Sequence, residues 1–305
     1  MSIVAIMLIL ISAFTHAGWN FLTKNSKPSG AFFFFAIGFA MVCISPVILL
    51  FYKKLAYIPL SVWGMLLSTG FFMAFYYFAL AGAYRKGDIS LAYPIARAFP
   101  ILLITFISFL FGKGDNIWFW SLVGMFMVVV GMFILPIKKL NEFSFKHYFR
   151  LCCIFAFLAA LGTVGYTIID DRALSIIRTL PNTPFNPFEA AFLYLSLEGI
   201  SCFLWLGLGI AIIKKERRKF FELITISKKD IKTAFIVGVS IFLSYGLVLS
   251  SMAFVKDVSY VAAFRQLSIP IGAFLGIFFL KEPKYPTRII GVLIILIGLI
   301  LVGLG

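Results

Sequence analysis

The chain has 305 residues, of which 62% are apolar and only 13% are charged. Soluble domains carry about 25% charged residues, so a water-soluble fold of this length would have more apolar surface than it can bury. The net charge of +15 comes from short basic runs between apolar segments, which is typical of membrane topology and not of a nucleic-acid surface. Composition excludes a water-soluble fold and indicates a polytopic membrane protein.

Ten apolar segments are long enough to cross a bilayer as helices, which takes about 20 residues at about 1.5 Å each. Their predicted ranges are 2–22, 31–51, 61–84, 89–111, 117–137, 149–170, 188–213, 231–254, 259–280 and 285–304. The runs are continuous and do not alternate between polar and apolar residues, so helices are favoured over a barrel. The predicted fold is an all-α, polytopic membrane protein with ten transmembrane helices. The longest connection, near 214–230, is expected to be a loop.

The distribution of Lys and Arg predicts how the helices are oriented. Of the 27 basic residues, 19 fall in the connections that follow helices one, three, five, seven and nine, and six fall in the other four connections. Cytoplasmic loops are the basic ones, so the first set faces the cytoplasm and both termini face outside. The expected location is the cytoplasmic membrane of a bacterium.

The sequence also contains an internal repeat. Residues of helices four and five recur 167 to 169 positions later, in the pairs Asp88 and Asp257, Ser90 and Ser259, Arg97 and Arg265, Gly124 and Gly291, and Gly131 and Gly298. The first helix recurs in the sixth at an offset of 147, where Trp19 falls on Tyr166. The predicted units are two inverted five-helix repeats, at 1–146 and 147–305. Transporters built this way hold their solute near the midplane, between the repeats.

These features resemble the drug/metabolite transporter superfamily, and within it the EamA-like ten-helix carriers. The resemblance rests on the five-plus-five arrangement, the Asp-x-Ser entry and proline of helices four and nine, the ending Lys281-Glu282-Pro283 and the opening His16-Ala17-Gly18-Trp19-Asn20. It covers essentially the whole chain and implies secondary transport of amino acids, other metabolites or drugs. The first half departs from the family pattern at Gly112-Lys113-Gly114, where a Glu is expected. The family's termini are often drawn in the cytoplasm, opposite to the orientation that the basic residues predict.

Charged groups inside the hydrocarbon are costly, so those within spans are the main site candidates. Arg97 and Arg265 enter from opposite membrane faces, and their guanidinium groups favour an anionic or zwitterionic solute. The alternative is that each pairs with a carboxylate or with carbonyls freed beside a proline. Glu198, in the middle of helix seven, is expected either to pair with an arginine or to carry a coupled proton.

Polar and aromatic residues near these charges complete the candidate site. The predicted substrate-binding residues are Arg97, Arg265, Glu198, His16, Asn20, Trp19, Tyr93, Tyr166, Tyr194 and Gln266. His16 and Asn20 lie four apart on helix one, and Tyr194 lies one turn before Glu198. A lone histidine among apolar residues is also a common structural hydrogen bonder.

Two further expectations concern acids and prolines. Asp170 and Asp171 are expected at the outer surface, as a solvated helix end. The prolines within helices four and nine, Pro94, Pro100 and Pro270, are expected to kink or open those helices.

The sequence lacks the motifs of ATP-driven or enzymatic chemistry. It has no G-x-x-x-x-G-K-[ST] loop, no H-E-x-x-H, no G-x-S-x-G and no metal-ligand cluster. The prediction is therefore a secondary transporter and not an enzyme, with no cofactor, no metal and no nucleic-acid partner. Its partners are a small amino-acid-like metabolite or drug, membrane lipids and, as one candidate coupling ion, protons; the oligomeric state stays open. The alternatives are a flippase for lipid-linked substrates, a helical scaffold, or a membrane-embedded enzyme that uses Asp170 and Asp171.

Overall fold

The computed structural model describes residues 2–24, 29–86, 89–134, 137, 151–181, 183–226, 228–279 and 285–304, and every regular element in them is helical. The α-helices are α1 (Ile3–Lys24), α2 (Gly30–Leu50), α3 (Leu60–Lys86), α4 (Ile89–Leu110), α5 (Phe119–Ile134), α6 (Leu151–Arg178), α7 (Pro187–Ile212), α8 (Lys214–Ile226), α9 (Lys228–Ser251), α10 (Val258–Phe264), α11 (Ser268–Phe279) and α12 (Pro286–Leu304). Short 3-10 segments occur at Tyr52–Tyr57, Gly114–Asn116, Met252–Phe254 and Arg265–Leu267.

Seven helices in the described ranges are long and apolar enough to cross a membrane, which confirms the prediction of an all-α integral membrane protein. These spans are Ile3–Asn20, Gly30–Leu50, Leu60–Lys86, Leu151–Arg178, Pro187–Ile212, Asp230–Phe254 and Pro286–Leu304. Two shorter apolar helices, Ile95–Leu110 and Phe119–Ile134, accompany them. Many large apolar side chains point outward, among them Leu204 and Ile300, each 63% exposed. Lipid, and not water, is the solvent that suits such a surface.

Helix α8 corrects the prediction of a loop at 214–230. A single residue, Ile213, separates it from α7. Its Glu216 is only 3% exposed, because Oε1 pairs with Arg85 at 2.8 Å and Oε2 accepts the Gly30 N–H at 2.8 Å. The carboxylate thereby also neutralises the positive end of α2. A run rich in Lys and Arg can form a helix when one face has partners, and the sequence scan missed this because it looked only for apolar spans.

Helix α6 continues past residue 170, where the predicted sixth span ended. Ala173, Leu174 and Ile177 follow at helical spacing and are at most 1% exposed. Burial of this stripe against neighbouring helices stabilises the additional two turns. The extension also decides where Asp170 lies, because it places that residue inside the bundle.

The predicted ninth span is interrupted, as expected from Pro270. Helix α10 ends at Phe264, a 3-10 turn covers Arg265–Leu267, and α11 starts at Ser268. Proline has no N–H to donate to the carbonyl four residues earlier, so the α-helical hydrogen bond to the Gln266 carbonyl is missing here. By contrast, α4 is continuous across Pro94 and Pro100. The break leaves Arg265 at the tightest turn of this segment.

Helices α5 and α12 pack through glycines at close range. A Cβ on Gly124 would lie 2.5 Å from the carbonyl oxygen of Gly298, and a Cβ on Gly298 would lie 2.6 Å from that of Gly124. About two helical turns further along, a Cβ on Gly131 would lie 2.8 Å from the carbonyl oxygen of Gly291. Small residues permit such backbone contact, which is a main source of packing energy in membranes.

Replacing Gly298 by Ala tests this crossing, because the added methyl group would lie 2.6 Å from the Gly124 carbonyl oxygen and 3.0 Å from Val128. Overpacking of this kind costs about 1–3 kcal/mol. We expect Gly298→Ala to lower the apparent melting temperature of the detergent-purified protein. Gly64→Ala is the control, since a Cβ at Gly64 meets nothing within 4 Å and gains about 1 kcal/mol of helix propensity. A Gly298→Ala protein as stable as Gly64→Ala would contradict the packing described.

Candidate functional site

Two adjoining cavities lie inside the bundle and share His16 and Tyr76. The first has about 360 Å³ of atom-free space, which includes open solvent, and is lined chiefly by aromatic side chains and one guanidinium group, from Trp19, Tyr76, Tyr77, Tyr166, Tyr245 and Arg265. The second has about 280 Å³ of such space, and its polar lining comes from His16, Asn20, Tyr84, Arg97 and Thr163. Concave, largely apolar chambers with a few convergent polar groups are the usual form of small-molecule sites.

Helix α3 shows how the cavities are stacked across the membrane. Tyr84, two residues before the end of α3, lines the second cavity, and Tyr77 lines the first. Thr69, further back along the same helix, contacts a pair of buried carboxyl groups. At about 1.5 Å per residue, Thr69 and Tyr84 are roughly 22 Å apart. The two cavities and the carboxyl pair therefore follow one another along a single axis of the bundle.

Arg265 brings a positive charge to the wall of the first cavity. Its guanidinium carbon lies 5.4 Å from the centroid of the Tyr245 ring, which in turn meets the Tyr166 ring edge-to-face at 5.5 Å. Arg265 forms no ion pair with any carboxylate of the described chain. Its guanidinium group also has a side-chain hydrogen bond with Tyr166, and a cation–π contact is worth about 0.5–2 kcal/mol, but neither phenol neutralises the charge. An anionic group entering the cavity would therefore be strongly favoured next to this side chain.

Arg97 brings a second guanidinium group to the other cavity. Its Nη2 donates to the Ser268 hydroxyl at 2.8 Å, and that hydroxyl lies 3.0 Å from the Arg265 carbonyl oxygen, to which it donates. The bond links α4 to the first turn of α11. Arg97 and the backbone of Arg265 thus meet at the 3-10 turn Arg265–Leu267, just before Pro270.

Helix α1 contributes the shared wall between the cavities. The Trp19 indole N–H donates to His16 Nδ1 at 3.2 Å, and Asn20 Nδ2 donates to the His16 carbonyl at 2.9 Å. Nδ1 can accept this bond only when it carries no proton. The His16 ring is therefore held by Trp19 and lines both cavities.

Asp170 and Glu198 form a polar cluster beyond the first cavity, and both are 0% exposed. The Thr69 hydroxyl lies 2.6 Å from Asp170 Oδ1 and 3.1 Å from Glu198 Oε1. Tyr194 donates to Asp170 Oδ1 at 2.9 Å, and Tyr245 donates to Asp170 Oδ2. Tyr245 thus belongs both to this cluster and to the wall of the first cavity.

The predicted site residues fall into three groups. Six of them line the cavities, namely His16, Trp19, Asn20, Arg97, Tyr166 and Arg265. Glu198 and Tyr194 belong to the carboxyl cluster. Gln266 is 4% exposed and donates to the Ala262 carbonyl at 2.8 Å, away from both cavities. The Tyr93 side chain lies outside the described part of the chain.

One expectation about this region was wrong. Asp170 is fully buried and hydrogen-bonded, and is no solvated helix end. The error arose because the predicted sixth span ended at residue 170, whereas α6 continues to Arg178. The walls of the two cavities come from α1, α3, α4, α6, α9 and the turn after α10.

Several residues of the site were not predicted from the sequence, among them Thr69, Tyr76, Tyr77, Asp170 and Tyr245. A signal existed for two of them. Tyr76 and Tyr245 are separated by 169 residues, the same offset that aligns Asp88 with Asp257. Thr69 carried no comparable signal, since hydroxyl residues are common in membrane helices and pair there with backbone carbonyls.

No protein-family model matches the chain, and no curated protein matches it. Among solved structures, 28 chains match. One of them, described only as the crystal structure of a protein, superposes with a TM-score of 0.71 at 13% sequence identity, covering 98% of this chain and 96% of that chain. A likeness at that identity shows a shared fold over the whole length and carries no statement about function.

Replacing Thr69 by Val tests the carboxyl cluster, since the shape is kept and the bridging hydroxyl is lost. Leaving a buried polar group without its partner costs about 1–3 kcal/mol, so the apparent melting temperature of the purified protein should fall. Thr225→Val is the matched control, because Thr225 is exposed on α8 and bonds only to the Phe221 carbonyl of its own helix. Equal melting temperatures for the two variants would show that the hydroxyl does not bridge the acids.

Proposed function

We propose that this chain is a secondary transporter that carries a small anionic or zwitterionic solute, an amino-acid-like metabolite or a drug, by alternating access. Ten transmembrane helices in two inverted five-helix repeats, 1–146 and 147–305, would form the two moving units. The proposal also assigns the chain to the EamA-like carriers of the drug/metabolite transporter superfamily and places it in a bacterial cytoplasmic membrane. The driving force is the gradient of the solute itself or of a coupling ion, and no chemical conversion occurs.

One observation carries the proposal. The two cavities together form a chamber inside the helix bundle, and residues from both halves of the chain line it. Each half contributes an arginine, Arg97 to the second cavity and Arg265 to the first. A guanidinium group in hydrocarbon is costly unless it faces a cavity or a partner. Its forked donors match carboxylate and phosphate groups, so the chamber favours a solute that carries one.

The packing of the helices supports the inverted repeat. In an inverted repeat, α1, α2, α3, α4 and α5 would correspond to α6, α7, α9, the segment α10–α11 and α12. A two-fold axis then predicts that every contact between two helices is repeated between their two counterparts. The main contacts obey this rule: α1 packs on α9 as α6 packs on α3, and α2 packs on α9 as α7 packs on α3. Further, α4 packs on α6 as α11 packs on α1, and α5 packs on α12, its own counterpart.

The close glycine contacts give residue-level support. The sequence repeat aligns Gly124 with Gly291 and Gly131 with Gly298. The same two-fold relation would then convert the Gly124–Gly298 contact into the Gly291–Gly131 contact, and both contacts are observed. The local two-fold axis of the proposed transporter would pass between α5 and α12. Helix pairs away from this axis would be free to rock.

Removing the charge of Arg265 tests the function. Purified protein in liposomes is expected to take up radiolabelled solutes, without ATP, from a mixture of amino acids and small carboxylates. Arg265→Gln should reduce this uptake to the level of protein-free liposomes, because the anionic group loses its cation. The control is Arg218→Gln on α8, where the side chain is 83% exposed and pairs only with Glu222.

Two outcomes would count against the proposal in different ways. Wild-type protein that moves no solute of the mixture would argue against transport of this substrate class. Transport that survives both Arg97→Gln and Arg265→Gln unchanged would leave the carrier in place and remove the site.

The predicted orientation has its own test. Single cysteines introduced at Lys54 and Lys215, in a variant whose four native cysteines are replaced by serine, should react oppositely with a membrane-impermeant maleimide in whole cells. We expect labelling at position 54, on the outer side, and protection at position 215, because basic loops stay in the cytoplasm. The reverse pattern would invert the topology and place both termini inside.

A further inference from the structure

The carboxyl pair formed by Asp170 and Glu198 has too few hydrogen-bond donors for two negative charges. Asp170 accepts from three hydroxyl groups, those of Thr69, Tyr194 and Tyr245. Thr69 has a single hydroxyl hydrogen to donate. The hydroxyl oxygen lies 2.6 Å from Asp170 Oδ1 and 3.1 Å from Glu198 Oε1. If this hydrogen points to Asp170, Glu198 receives no donor at Oε1. Its other oxygen, Oε2, is buried and has no hydrogen-bond partner.

The surroundings of the pair offer no compensating cation. The polar and titratable groups that face it are Thr69 and Tyr77 from α3, Tyr194 and Cys202 from α7, and Tyr245 from α9. Tyr166 of α6 and Arg265 lie beyond, against the Tyr245 ring. Neither acid forms an ion pair with a Lys, Arg or His of the described chain. A second uncompensated carboxylate is strongly unfavourable at this depth.

A single proton resolves the shortage of donors. A neutral Glu198 can donate from Oε1 to Thr69 Oγ, and Thr69 then donates to an ionised Asp170. Each hydrogen bond along Glu198–Thr69–Asp170 then has one hydrogen and one acceptor, and Asp170 Oδ1 accepts from both Thr69 and Tyr194. A bound alkali ion fits this site less well than a proton. Such an ion is held by oxygen lone pairs that point at it, whereas the hydroxyl groups around Asp170 point their hydrogens at the carboxylate.

The proton site and the solute chamber have one side chain in common. The Tyr245 hydroxyl donates to Asp170, and its ring lies against Arg265 at the wall of the first cavity. An anionic group that draws Arg265 away from the ring, or shifts the ring, alters a donor on which the ionised Asp170 depends. When Asp170 loses that donor, a proton on the pair becomes more favourable. Binding in the cavity and binding of the proton are thereby linked in both directions.

We propose that Glu198 and Asp170 form a binding site for one proton, separate from the solute chamber, and that Tyr245 couples proton binding there to occupancy of the chamber beside Arg265. The coupling rests on the proposed transport function, whereas the proton site does not. The ligand of the site is a proton and not Na⁺.

Infrared difference spectroscopy of the full-length protein in liposomes tests the site without any solute. At neutral pH the wild type should show the carbonyl absorption of one buried, neutral carboxylic acid, and this band should be lost in Glu198→Gln. Asp170→Asn should weaken it as well, because an amide N–H next to Glu198 and the loss of a negative charge let Glu198 ionise. Glu222→Gln, at an exposed position of α8, should leave the band unchanged.

The spectra give clear contrary results. Absence of the band in the wild type, or its persistence in Glu198→Gln, overturns the proton site. Gel filtration of each variant shows whether it is folded, and Asp170→Asn provides a second reading if Glu198→Gln is not. A band that responds to Na⁺ at constant pH would also overturn the assignment of the ligand.

The coupling is tested with L-glutamate and L-alanine as anionic and zwitterionic probes, with a pH-sensitive dye inside the liposomes. In the wild type an imposed pH gradient should drive accumulation of a probe, accompanied by proton movement. In Glu198→Gln exchange of labelled for unlabelled probe should continue, while gradient-driven accumulation is lost. Accumulation that persists in this variant overturns the coupling. Wild-type protein that moves neither probe also overturns the coupling for these two solutes. The proton site is tested separately, by the infrared band.

Discussion

Hydrocarbon offers no hydrogen-bond partner, and this single constraint shapes the whole molecule. Backbone groups find their partners within helices, and hydroxyl groups turn back onto them, as Thr163 does to the Ala159 carbonyl at 3.2 Å and Ser250 to the Gly246 carbonyl at 2.8 Å. Against this background of saturated groups, the exceptions are informative. Arg265 faces a chamber without a carboxylate of the described chain, and Glu198 keeps one oxygen without a donor.

Much of the fold could be predicted because the bilayer has a fixed thickness. Segment length alone located the long apolar helices, and the rarity of charge in them singled out Arg97 and Arg265, which both reach the cavities. The errors came where length and charge gave the wrong signal. Asp170 resembled a helix end because two more charged residues follow it, yet the apolar stripe after them holds the helix inside the bundle. The basic run in α8 resembled a loop for the same reason.

The aromatic part of the site lay beyond single-sequence reasoning. The chain has 12 Tyr and 37 Phe, and in a helix that is apolar on all sides periodicity does not distinguish the lipid-facing side from the chamber. Only the tertiary packing decides that Tyr76, Tyr166 and Tyr245 form a continuous series of edge-to-face rings, with centroids 5.9 Å and 5.5 Å apart. The internal repeat contains part of this information, because its offset of 169 residues pairs Tyr76 with Tyr245. The pair is found only when the alignment is extended from the charged residues to the tyrosines.

The junction at Glu216 has a mechanical meaning. Helix α8 is joined to α7 through Ile213 alone, and its glutamate holds the end of α3 through Arg85 and the start of α2 through the Gly30 N–H. A basic amphipathic helix of this kind is suited to lie among lipid headgroups. A shift of α8 would therefore move the ends of α7, α3 and α2 with it. A change in bilayer thickness or surface charge that displaces α8 would thus change the positions of these three helices at a distance from the cavities.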